Sequence, residues 1–340
     1  MKRSELLAAL RLVAPALAAK PLVPVFSHLC FDGKMVIAYD DVVALRAPCP
    51  LDIQGALLGS LLLSILASST SEEAVFDIKD SEVTVKLGHT RAKLAVLPSD
   101  EFLFKEPSRK GGVKLPLAEG LLASLRLACR CQETDGQPTA LTGVTIAFGK
   151  KKATLYATDS VSVVHATAAC GCEKLDGKAV ILPIRFCELL LKMGKGDLIF
   201  TESGDLVVVG DGVELFGRVV QGADPQQYER VFEGARLNNV PEADVPTTLA
   251  RCLERSALLN REEIELSYTN GRLNLYSSGL GGELRDSLKV DFGPDPVEVI
   301  TSASHVARYL DATERIGFCD RCVLLEGKGF RVLVAVKTKQ

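Results

Sequence analysis

The chain has 340 residues, 47% of them hydrophobic and 24% charged, with a formal net charge of -3 at pH 7. That length and apolar content supply a core for each of two or three domains and exclude a chain too polar to fold. The slight negative charge excludes a globally basic surface, so any nucleic-acid contact must come from a local concentration of Lys and Arg.

The spacing of Leu6, Leu10, Val13 and Leu17 predicts an amphipathic helix from Ser4 to Leu17, ended by Pro21 and Pro24. A strand pair follows around Asp32-Gly33, and Asp52 is placed to cap a second helix over 53–67. Three short strands, 74–78, 82–87 and 91–97, close this unit. The order then returns: a helix over 116–131, strands 143–148, 153–157 and 161–167, a helix opening at Pro183, and strands 198–201, 206–210 and 213–220. A third pass has a helix over 247–260, strands on either side of Asn270-Gly271, a helix over 302–313 capped by Ser302, and closing strands 322–326 and 330–336. Segments 99–112 and 222–246 read as linkers.

The repeat is therefore of whole domains, each with two helices packed on antiparallel sheet. The fold class expected is α+β, with domains at 1–110, 111–235 and 236–340.

Charge is distributed unevenly over this plan. The helical spans carry +2 over 2–18, -1 over 51–67, +1 over 116–131, +2 over 183–196, +2 over 247–261 and zero over 302–315, which is +6 in a chain whose total is -3. A positive helical layer on a negative body suits helices that face phosphates. Arg11, Arg126, Arg130, Arg185, Lys192, Arg251, Arg255 and Arg308 are the candidate contacts. With no Trp and only 6% aromatic residues, no base-stacking track accompanies them, so DNA contact is expected through the backbone and without sequence preference.

Signatures of catalysis are missing. There is no phosphate-binding loop, strand-led glycine fingerprint, G-x-S-x-G elbow or H-E-x-x-H, and no catalytic residue is proposed. Asp40 and Asp159, at similar positions after strands, read as turn caps. The ten cysteines read as free thiols in a reducing compartment. Cys319/Cys322 has metal-ligand spacing, but four converging ligands would be required, so neither metal nor cofactor is expected.

Several strings, in their order along the chain, resemble the bacterial sliding clamps, the beta subunits of DNA polymerase III. They are Val13 to Pro24 (VAPALAAKPLVP), Leu97 to Phe102 (LPSDEF), Leu141 to Gly143 (LTG) followed by Tyr156 to Asp159 (YATD), and Gly222 to Val231 (GADPQQYERV). The last is similar to the family's G-x-x-P-x-Y-x-x-V with one added residue.

The resemblance implies three tandem DNA-clamp domains, closed as a head-to-tail homodimer ring around double-stranded DNA, with helices lining the hole. Twelve helices at about 10 Å spacing leave a hole of about 28 Å, wide enough for a duplex with water between. It also implies that Lys20 lies beside DNA. The implied partners are a replicative DNA polymerase, an ATP-dependent clamp loader and other clamp-binding-motif proteins. Their peptide would enter a pocket of Leu141, Thr158, Asp159, Val161, Val163, Pro241, Leu333, Val334 and Val336.

This chain departs from the family at that pocket. Thr158 to Val163 (TDSVSV) stands for T-D-G-H-R-L, and Ala335 to Gln340 (AVKTKQ) for the ending M-P-M-R-L. The segment Glu133 to Thr139 also lacks the family's basic and tyrosine residues. A diverged viral or accessory clamp fits these departures, and the alternative function is a clamp-fold protein-interaction scaffold that does not encircle DNA. The longest oily run, Ala56 to Ala67, is too short to span a bilayer and no secretory leader is evident, so a cytoplasmic, nucleoid-associated protein without a membrane partner is expected, in the host cytoplasm for a viral one.

Overall fold

The computed structural model describes residues 1–79, 81–131, 142–170, 172–235, 237, 242–293 and 295–337. Chain order opens with α1 (Arg3–Val13), β1 (His28–Tyr39), β2 (Ala44–Leu58), α2 (Gly59–Ser68), β3 (Val75–Lys79), β4 (Glu82–Leu87), β5 (Thr90–Ala95) and β6 (Val113–Pro116). It continues with α3 (Glu119–Ala128), β7 (Gly143–Phe148), β8 (Ala153–Thr158), β9 (Ser162–Ala168), β10 (Ala179–Pro183), α4 (Ile184–Met193), β11 (Asp197–Phe200), β12 (Asp205–Gly210), β13 (Val213–Arg218) and α5 (Pro225–Gly234). The last part holds β14 (Glu242–Asp244), α6 (Leu249–Leu259), β15 (Ile264–Thr269), β16 (Arg272–Gly279), β17 (Gly282–Lys289), β18 (Val297–Thr301), α7 (Ala303–Ala307), β19 (Arg315–Cys319), β20 (Cys322–Gly327) and β21 (Phe330–Lys337). These elements fold into two units, Met1–Leu117 with Arg185–Val219, and Ala118–Ile184 with Val220–Gln340.

In the first unit β1-β2-β13-β12-β11-β6 form one antiparallel sheet. α1 buries Leu6, Leu7, Leu10 and Val13 and lies on β2. Strand β2 runs further than its sequence suggested, and the second helix begins at Gly59 instead of 53. The reason is visible in Ala47, Cys49, Leu51 and Ile53, which are buried in strict alternation with their neighbours, a period of two that continues past Asp52. Phe216, Ile199, Val207 and Ala44 form a core cluster on which Phe104 and Tyr39 pack. A side chain at Gly217 would meet the Phe186 ring at 2.6 Å, so glycine is what lets α4 settle on β13. Strands β3-β4-β5 make a separate small sheet, whose edge strand β3 exposes Val75 and Ile78.

In the second unit the sheet order is β10-β7-β8-β9-β21-β18-β15-β16-β17, with β20, β19 and β14 continuing beside β21. Strands from the expected second and third repeats are thus hydrogen-bonded neighbours, Val163 opposite Leu333 and His165 opposite Arg331. α3 packs on β8 and β9, and α6 on α7, β16 and β17. At the β17 edge Leu258 and Leu280 are 85% and 113% exposed, so both stand free of this chain's core.

Four further boundaries differ from expectation. Pro183 closes β10, paired with Gly143 on an edge strand where its missing N–H costs nothing, and α4 starts after it. Pro116 closes β6, so α3 starts at Glu119. The helix expected over 302–313 is α7 of five residues followed by turns. The linker expected over 222–246 contains α5, started by Asp224, which accepts from the Gln226 amide at 3.1 Å, and by Pro225 in its first turn.

Candidate partner groove and nucleic-acid interface

The candidate cations fall into two groups. α1, α3 and α6 bury stripes at three and four spacing, which turns Arg11, Arg126 and Arg251 outward. These three, with Lys20 and Lys192, are exposed and form no ion pair with any described residue. The other four are engaged. Arg185 lies 3.2 Å from Asp40 and also donates to the Pro15 carbonyl. Arg255 donates to Asp286 at 2.9 and 3.0 Å, Arg130 to Asp311 at 2.9 Å, and Arg308 to Asp159 at 2.7 Å.

Asp159 caps the β8–β9 turn, where Ser160 has φ 70°. One carboxylate oxygen accepts from the Val161 amide at 3.2 Å and from the Ser162 amide and hydroxyl at 2.7 and 2.8 Å. The other faces Arg308 and, at 3.3 Å, His305 Nε2. Burial alone would raise its pKa, but hydrogen bonds from His305, Ser162 and Arg308 outweigh it and hold the carboxyl well below the usual carboxylate range. Asp40 repeats the arrangement, accepting from Val42 and Val43 amides at 3.1 and 2.8 Å and pairing with Arg185. Both aspartates are thus turn caps, as their positions predicted. Although Ser302, His305 and Asp159 are linked in series, Ser302 is buried and donates to the Arg261 carbonyl, which leaves no accessible nucleophile.

Along β9, Val163, His165 and Thr167 alternate with fully buried Val164 and Ala166. They share a face with Leu333 and Arg331 of β21, and α5 contributes Phe232 to it. Phe232, Ala235, Cys322, Leu324 and Leu333 form an apolar cluster flanked by Val163, Leu237 and Cys319. Next to it opens a cleft of about 240 Å³, lined by His165, Thr167, Glu229, Phe232, Glu326 and Arg331 among others. Tyr156 stacks on Tyr228 at 5.1 Å and donates to Glu229; burial, then Glu229, push its hydroxyl upward.

Of the pocket residues read from sequence, Val163 and Leu333 meet at this cluster, Thr158, Val161 and Val336 are half-buried, and Asp159 is buried in its ion pair. Val334, one residue out of phase with Leu333, is wholly buried on the opposite face. Leu141 and Pro241 lie outside the described residues. Phe232, Tyr228 and Glu229 stand outside the sequence-read pocket because their segment reads as a linker; the signal for the helix is Asp224-Pro225 followed by aromatics four residues apart.

Among the described residues no cluster of three His, Cys, Asp or Glu side chains could hold a metal, and no helix is long and apolar enough to cross a membrane. Neither protein-family models nor curated protein sequences match the chain. Solved structures do match. The DNA polymerase III subunit beta of Pseudomonas aeruginosa is 18% identical, with a TM-score of 0.84 over 100% of this chain and 99% of that one. Pol III beta of Caulobacter crescentus gives the same identity, coverage and score. The Thermotoga maritima beta subunit is 16% identical, with a TM-score of 0.83 over 100% and 99%. The fold is that of the sliding clamps. Its mixed α and β composition and open antiparallel sheets are those described for both units.

Proposed function

We propose that this chain is a DNA sliding clamp: a non-catalytic head-to-tail homodimer of three-domain subunits that encircles double-stranded DNA and tethers a replicative polymerase. The observation that carries the proposal is end-to-end correspondence with the Pseudomonas aeruginosa beta subunit, over 100% of this chain and 99% of that one. A scaffold that had kept only a piece of the fold would not match along its whole length.

Other features support the reading. Arg11, Lys20, Arg126, Lys192 and Arg251, exposed and without an ion pair among the described residues, offer positive charge to phosphates. Edge strand β3, with Val75 and Ile78, and edge strand β17, near Leu258 and Leu280, are two unpaired borders of the kind a head-to-tail junction would join. The face formed by Val163, Leu333 and Phe232 is the surface proposed for peptides of the polymerase, the ATP-dependent loader and other clamp-binding-motif proteins.

A clamp-fold scaffold that does not encircle DNA is the second reading, favoured by the engagement of Arg130, Arg185, Arg255 and Arg308 in internal ion pairs. Molecular mass at working concentration, measured with retention on closed circular duplex after loading, separates the two. A dimer retained on circles supports the clamp; a monomer, or a dimer lost freely from circles, supports the scaffold.

A further inference from the structure

The pair Cys319 and Cys322 has no part in the clamp reading, yet the fold brings the two thiols together. β19 and β20 are joined by the two residues Asp320 and Arg321, and Cys319 and Cys322 are directly opposed across the ladder. Opposed residues of antiparallel strands have α-carbons about 4.5–5.5 Å apart, inside the range that a disulfide bridges. Their sulfurs are 2.8 Å apart. Cys322 is buried in the apolar cluster with Leu324, Leu333 and Phe232, whereas Cys319 is half-buried at its margin. Among the described residues no third ligand joins them to make a metal site.

We propose that Cys319 and Cys322 are a dithiol that low-molecular-weight disulfides convert reversibly to an intramolecular disulfide. Cys319, the more accessible sulfur, loses its proton and attacks one sulfur of the small disulfide. One thiolate leaves, and a mixed disulfide forms on Cys319. Cys322 then loses its proton, displaces the second small thiol from Cys319, and closes the protein disulfide. The balance is one protein dithiol plus one small disulfide giving one protein disulfide plus two small thiols. Burial, reinforced by the neighbouring Cys319 sulfur, pushes the Cys322 thiol up, and the greater accessibility of Cys319 assigns the first attack to it. Excess small thiol drives the exchange back. The pair's chemistry does not depend on what the adjoining groove binds.

The test treats the full chain with excess oxidised glutathione, blocks remaining thiols with N-ethylmaleimide in denaturant, and digests with trypsin. Cleavage after Arg321 separates the two cysteines, so the expected product is peptide 316–321 joined to peptide 322–328, at a yield roughly tenfold above any other cysteine pair. Cys322→Ser should instead accumulate glutathione on residue 319, and Cys319→Ser should leave residue 322 alkylated. Recovery of both wild-type peptides fully alkylated would overturn the proposal. So would equal glutathione incorporation in the two serine variants.

Discussion

Arg130 and Arg308 each donate to the other's backbone carbonyl oxygen, at 3.0 and 2.9 Å. The exchange sets two guanidinium groups side by side, and each is neutralised by a carboxylate, Asp311 for one and Asp159 for the other. The two pairs differ in exposure: the Asp159 side chain is 5% exposed and that of Asp311 64%. Their contributions to stability should differ accordingly.

Arg308→Met leaves a buried carboxylate without its arginine partner and should destabilise the second unit by about 1.5–3 kcal/mol. Asp311→Ala removes a solvent-screened partner and should cost less than about 1 kcal/mol. Denaturant unfolding of both variants checks the ordering, and equal losses would contradict it.

Asp159 also sets an acid limb. Its folded pKa is depressed, so its stabilisation is complete above the unfolded carboxylate value of about 3.9 and is lost as pH falls through the lower folded value. Asp159→Asn should therefore be less stable than the parent near neutrality, with the gap closing below about pH 4. Thermal midpoints measured against pH test this; a gap that persists undiminished at low pH would show that the proton linkage lies elsewhere.

DNA affinity should follow the cations that form no ion pair among the described residues. Changing Arg11, Lys20, Arg126, Lys192 and Arg251 singly to Gln should each reduce the slope of log affinity against log salt by up to about 1, without loss of fold. Changing Arg130 or Arg185 should act mainly on thermal stability. Equal salt slopes in the two groups would mean that ion pairing within the chain does not withhold a cation from DNA.

How much of this was legible in sequence depended on whether the signal was local. The stripe of α1, the turn caps Asp40 and Asp159 and the positive bias of the helices follow from spacing and charge. The long β2 was misread because Leu57, Leu58, Leu61 and Leu62 satisfy helical spacing, while the alternation before them belongs to a strand with partners on both sides. β17 was missed because it buries little beyond Leu288, so its sequence carries no apolar rhythm. The ion pairs of Arg185 and Arg308 join residues 145 and 149 positions apart, which no local pattern reveals.

The groove gives a contrast between adjacent residues. Val163→Asp puts charge on the half-buried face beside Phe232 and should weaken binding of a clamp-binding-motif peptide more than tenfold while the chain stays folded, since tenfold is only about 1.4 kcal/mol. Val334→Asp, at a wholly buried position, should unfold the unit instead, at a cost of several kcal/mol. Fluorescence anisotropy with the labelled peptide, run beside circular dichroism, distinguishes them. Unchanged affinity in the Val163 variant would move the partner surface away from β9.

Encirclement itself is tested most directly by topology. The protein is loaded on closed circular duplex, unbound protein is removed, and the circle is cut once with a restriction enzyme. A sliding ring should be retained on the intact circle and lost after the cut, and it should be retained again when the new ends are blocked by bound protein. Equal dissociation from cut and uncut DNA would contradict the clamp reading and leave a scaffold with the clamp fold.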